Sequence, residues 1–95
     1  MDNTEIQCLV LIDKTILISR ILPVVSELGE PDCKLVFPYQ VIDGQLTPWL
    51  SDFTDNTEDI MISSDKILTL VDPKQTLLND YLELIKWDFI RMFFN

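Results

Sequence analysis

Apolar side chains recur at every second position through residues 5–12, with Ile6, Cys8, Val10 and Ile12 on one side and Leu9 and Leu11, beside Gln7, on the other. A period of two is that of a β-strand, and apolar residues on both sides imply that both faces of this strand are at least partly covered. Asp13 and Lys14 supply a tight turn, after which residues 15–22 are β-branched and apolar apart from Ser19 and Arg20. The two runs predict a hairpin. Pro23 has no N–H to give the ladder, so the second strand either stops there or passes a bulge and resumes at Val24 and Val25.

Residues 26–32, SELGEPD, combine a glycine, a proline and three acids, which is loop chemistry. Residues 34–42 restore a strand, with Leu35, Phe37, Tyr39 and Val41 on one face, and end at the turn signal Asp43-Gly44. Pro38 in the middle of that run predicts a bulge or an edge position. Residues 45–58 mix Leu46, Pro48, Trp49, Leu50 and Phe53 with Asp52, Asp55, Asn56 and Glu58, a pattern that fits a short extension of the hairpin followed by a loop.

The stretch 59–72, DIMISSDKILTLVD, organises the rest. Ile60 and Ile62 alternate with Met61 and Ser63, and Ile67, Thr69 and Val71 alternate with Leu68 and Leu70, around the turn residues Ser63, Ser64, Asp65 and Lys66. It predicts the closing hairpin of a small barrel, and its outer edges need partners from this chain or from a second copy, because an unpaired edge is a template for another strand. Asp72 then predicts a helix cap, with Pro73 in the first turn. Through about residue 93, Leu78, Tyr81, Leu82, Ile85, Phe89 and Met92 recur at helical spacing. Leu77, Leu84, Trp87, Phe93 and Phe94 widen this stripe beyond what a barrel end covers, which makes Trp87, Phe93 and Phe94 the expected anchors of a protein contact. Lys86 and Arg91 are interleaved with Glu83 and Asp88, unlike the basic face of a helix that lies on a membrane.

A chain of 95 residues makes one domain, residues 1–95, with strands over about 5–72 and the helix over about 73–93. It carries 16 acids against 7 bases, a formal charge of −9, and between Glu27 and Asp65 nine acids face the single cation Lys34. Such a field repels phosphate backbones, so no DNA partner is expected. The start, MDNTE, lacks a signal peptide's basic and apolar parts, and no run reaches the roughly 20 apolar residues of a membrane span. A cytoplasmic protein is expected. There Cys8 and Cys33 are packed, reduced thiols, the rival being a disulfide between the first and third strands.

Without histidine, nucleophile motif or phosphate-cradling glycine loop, no catalytic residue and no cofactor are expected. Asp52, Asp55, Glu58 and Asp59 offer oxygens of the kind calcium takes. They lack the alternate spacing and central glycine of a calcium-binding loop, so residues 52–59 are expected to be a solvated acidic loop and to hold no metal.

Five short strands in the order hairpin, long bent pair, closing hairpin resemble the Sm-like (Lsm-type) family. LIDKTILISRI resembles its first strand-turn-strand block, residues 28–42 its loop and third strand, and DIMISSDKILTLV its second block. The run SSDKILTLVDPKQTLL also resembles small proteins encoded by viruses of marine cyanobacteria, which would place the protein in a host-cell cytoplasm. The resemblance implies a strongly bent five-stranded barrel of SH3-like type with a C-terminal helix. It also implies a penta- to heptameric homo-oligomeric ring, built by adding the fourth strand of one subunit to the fifth of the next. Ile60, Ile62, Ile67, Leu68 and Leu70 would then lie in the interface.

In that family uridine-rich RNA is held by an asparagine before the third strand and an arginine-glycine pair between the last two. At those places this chain has Asp32, Cys33 and Lys34, and Ser64, Asp65 and Lys66. Lys34 and Lys66, with Tyr39 for base stacking, are the candidate RNA contacts. The alternative is that both lysines are solvated and merely offset Asp32 and Asp65. Three functions therefore stand: an RNA-associated ring, an acidic protein-binding scaffold without nucleic acid, and a monomeric SH3-like adaptor.

Overall fold

A computed structural model describes the backbone of residues 6–94 and the side chains of residues 6–86. Strands β1 (Ile6–Leu11), β2 (Ile16–Pro23), β3 (Cys33–Ile42), β4 (Gln45–Pro48), β5 (Asp59–Ile62) and β6 (Ile67–Val71) precede one helix, α1 (Gln75–Phe94). The pairing is antiparallel throughout, in the order β4-β3-β2-β1-β6, with β5 also lying beside β3. The architecture is therefore mostly β with a terminal helix. It has six strands where the pattern predicts five, because Gln45–Pro48 folds back on residues 39–42 as a strand of its own. Asp43 and Gly44 make that turn with φ of 51° and 77°, the left-handed pair that lets a two-residue hairpin follow the strand twist. In the first hairpin Lys14 takes φ 75°, and the Asp13 carboxylate accepts the Thr15 N–H at 3.0 Å.

The expected closing hairpin does not form. β5 pairs with residues 33–36 of β3, whereas β6 pairs with β1. Between them Ser64–Lys66 coils into one 3-10 turn, closed by Lys66 N–H to Ser63 O at 3.0 Å. Three residues of tight helix redirect the chain instead of folding it back, so the two strands reach opposite ends of one ladder. That ladder stays open: among the described residues no pairing joins β6 to β4 or β5. Nor does β2 resume after Pro23. Val24 donates one more bond, to Asp32 O at 2.9 Å, and Val25 is fully exposed.

Both faces of the sheet are covered, as the two-sided pattern of β1 predicts. On one face Ile6, Cys8, Ile18 and Tyr39 pack under Leu78, Tyr81 and Ile85 of α1. On the other, Leu9, Leu11, Leu17 and Leu35 form a second cluster joined by Ile21, Trp49, Ile62 and Ile67. The helix starts at Gln75, with Leu78 N–H bonded to Lys74 O. Asp72 therefore lies two residues ahead of the cap, and its carboxylate accepts from Gln7 Nε2 at 3.2 Å.

The bulge predicted at Pro38 lies between the pairs Ile18 with Tyr39 and Arg20 with Val36, which leaves Ser19 opposite both Phe37 and Pro38. Phe37 takes φ 53°, a left-handed conformation that costs a bulky residue about 1–3 kcal/mol. The polar backbone groups of Phe37 and Pro38 find partners. Phe37 N–H bonds Glu58 O at 2.7 Å, and Pro38 O accepts from Trp49 N–H at 2.9 Å. The Tyr81 hydroxyl, on the helix, is shared between Phe37 O at 2.9 Å and Val36 O at 3.2 Å. The fully buried Ser19 hydroxyl is shared between Arg20 O at 2.9 Å and Val36 O at 3.2 Å.

Removing the Tyr81 hydroxyl leaves Phe37 O without that donor in a part-buried site. Tyr81→Phe should cost about 1–3 kcal/mol of unfolding free energy, measured by urea denaturation, with the helical and strand circular dichroism preserved.

Candidate functional site

The loop before β3 and the turn between β5 and β6 meet at one point. Asp32 accepts the Ser64 N–H on one carboxylate oxygen and the Ser64 hydroxyl on the other, both at 2.7 Å. Ser64 opens the 3-10 turn, and its own cap residue Ser63 makes no side-chain capping bond. The cap comes instead from a carboxylate 32 residues away in sequence, and the charged acceptor strengthens both bonds. The Ser64 hydroxyl and then its N–H hold the Asp32 carboxyl below its ordinary value. Ser63, Ser64 and Asp65 face Gly29, Glu30 and Asp32 across a recess of about 220 Å³.

Lys34 and Lys66 flank this join, one residue beyond Cys33 and one beyond Asp65. The Lys34 ammonium lies 3.8 Å from the Asp59 carboxylate on the neighbouring strand β5, and Lys66 is exposed at the end of the turn. Tyr39 is not with them. It is 4% exposed, beneath α1, with its ring edge-on to Tyr81 at 5.8 Å, and a ring so covered has no face for a base. Of the residues expected at a strand interface, Ile62 and Ile67 pack inward on the leucine cluster and Ile60 is half-buried. Leu68 and Leu70 point out, 62% and 48% exposed. The side chains of Trp87, Phe93 and Phe94 lie outside the described residues.

Cys8 and Cys33 are free thiols. Burial raises Cys8, and burial, reinforced by the Asp32 charge, raises Cys33. Both are thus held as protonated, poorly nucleophilic thiols at neutral pH. Among the described residues no three histidine, cysteine or acidic side chains converge as a metal group; Asp52, Asp55 and Glu58 lie on the segment before β5, and Asp59 opens that strand. No helix among them is long and apolar enough to cross a membrane.

The fold and this join define a small antiparallel-sheet protein in which a carboxylate fastens the loop before β3 to the turn between β5 and β6. The chain belongs to a family of unknown function, DUF6561, whose model matches residues 4–86 and so takes in the join, the bulge and most of α1. No curated protein matches it.

The pairing of Asp32 with Ser64 is the contact at this site that the sequence pattern does not show. The resemblance sets an acid next to a strand start and a serine opening a later turn at the two halves of one site, without the bond between them. Because the join lowers the Asp32 carboxyl, its contribution to stability is present above the ordinary aspartate range and is lost as pH falls through the lowered folded value. Ser64→Ala should shift the Asp32 midpoint upward in a carboxyl-carbon NMR titration, and an unmoved midpoint would remove the hydroxyl from the account.

Proposed function

We propose that this protein is an Sm-like subunit that closes into a homo-oligomeric ring and works as an acidic protein-binding scaffold. One observation carries the proposal: β5 and β6 stand at opposite ends of the sheet, each paired along one edge, to β3 and β1, with no strand on its other edge among the described residues. Two free edges on one subunit are complementary by backbone hydrogen bonding, and joining one to the other head to tail makes a closed ring when the rotation divides a full turn. β6 presents Leu68, Leu70 and Val71 at 62%, 48% and 49% exposure, and β5, at the other end of the sheet, presents Met61 at 44%. An exposed apolar edge strand with no charge along it is an association site or a liability. The bend at Phe37 and Pro38 supports a barrel-like curvature, because a bulge raises local twist and turns its strand.

RNA at the ring's centre is the second reading, favoured by the meeting of the Asp32 loop with the Ser64 turn. Against it stand the Asp59 carboxylate beside Lys34, the acids Glu30, Asp32 and Asp65 around the recess, and the covered ring of Tyr39.

Light scattering should give a concentration-stable mass of several subunits, and Leu68→Lys with Leu70→Lys should reduce it to one subunit while the circular dichroism persists. A wild-type monomer at all concentrations would end the ring. Short oligouridine should not bind even at about 50 mM salt; binding that falls steeply toward about 200 mM would restore the RNA reading.

A further inference from the structure

Away from the strand edges, α1 and the β3–β4 hairpin enclose an open groove of about 400 Å³ lined by Gly44, Gln45, Leu46, Asp80, Glu83 and Leu84. Its apolar part is Leu46, which packs on the core beneath the helix, and Leu84, 37% exposed. Its charge is Asp80 and Glu83, three positions apart on α1 and therefore on one face, with Cβ atoms about 5–6 Å apart. No ion pair joins either to a cation among the described residues, and neither Lys74 nor Lys86 lines the groove. Two like charges at that spacing repel each other. The opposite wall is the tip of a hairpin whose turn residues Asp43 and Gly44 both hold positive φ, with the Gln45 amide exposed beside it.

The geometry points to a docking groove for a protein segment that presents an arginine next to an aliphatic residue. Charge complementarity selects the cation, and the pairing of carboxylates with leucines selects which cation. An arginine stem lies along apolar surface while its head stays at the polar rim, and its planar fork of donors serves two carboxylates at once. A metal ion is a poorer fit, since hard cations take six or more oxygens and no three ligating side chains converge among the described residues. Phosphate and anionic lipid are repelled by the same two acids. The Gln45 amide supplies a donor and an acceptor for the backbone of the incoming segment. The occupant thus gains two charge-assisted contacts, an apolar seat and one backbone clamp. None of these depends on the ring.

The test is titration of a fluorescent hexapeptide of alternating arginine and leucine into the full chain, with the mass of the protein followed in parallel. Asp80→Asn with Glu83→Gln should weaken binding about tenfold or more. Asp52→Asn with Asp55→Asn removes the same charge elsewhere and should leave it within about twofold. An arginine-serine hexapeptide should bind more weakly than the arginine-leucine one. Equal loss in both double variants would reduce the binding to the net charge and overturn the proposal, as would no binding at all. Spermine competing as well as the peptide would assign the acids to a small cation and overturn it too.

Discussion

Everything distinctive in this fold follows from two residues of β3, Phe37 and Pro38, standing opposite the single Ser19 of β2. The arrangement is unfavourable by itself: a left-handed phenylalanine costs about 1–3 kcal/mol, and each backbone carbonyl abandoned in a dry interior costs a similar amount. It persists because three separate parts of the chain answer it. β2 contributes the Ser19 hydroxyl, the segment between β4 and β5 contributes Trp49 N–H and Glu58 O, and α1 contributes the Tyr81 hydroxyl. The helix is thereby more than an apolar cover. Its hydrogen bonds reach into the sheet where the ladder between β2 and β3 is broken.

The bend also decides what lies where. On either side of it β3 offers its outer edge, to β5 along residues 33–36 and to β4 along residues 39–42. Placing β5 beside the start of β3 brings Ser64 to Asp32, and the 3-10 turn that Asp32 caps then carries the chain across to β1. Placing β4 beside the end of β3 brings the hairpin tip to α1 and forms the groove with Asp80 and Glu83. One break in hydrogen-bond register thus separates a loop junction from a groove, and leaves β5 and β6 at the two ends of the sheet.

Much of this was legible in the residues. The alternation in β1 foretold cover on both faces, Asp43-Gly44 foretold its hairpin, and a proline inside an apolar run foretold the bulge, because the missing donor is visible in the sequence. The partners of β5 and β6 were not. Two alternating runs separated by four polar residues look like a hairpin, and only the long-range grip of Asp32 on Ser64 shows that the link is a coiled turn. Tyr39 read as available for stacking because strand alternation gives a face without saying what covers it. Asp72 looked like a cap from its neighbour Pro73, yet the helix begins later, and the carboxylate is used by Gln7 from β1. Each departure is a tertiary contact between residues far apart in the chain, which local pattern cannot carry.

Native-state hydrogen exchange followed residue by residue by NMR tests most directly whether the bulge and the helix are one structural unit. The amides of Phe37 and Trp49, bonded across the bulge to Glu58 O and Pro38 O, should exchange with the same opening free energy as the amides of α1 around Tyr81, because undocking the helix removes a partner of the bulge. If the α1 amides exchange through a low-energy opening while Phe37 and Trp49 keep the protection of global unfolding, the helix is a detachable cover and the constraint placed at the centre of this fold is wrong.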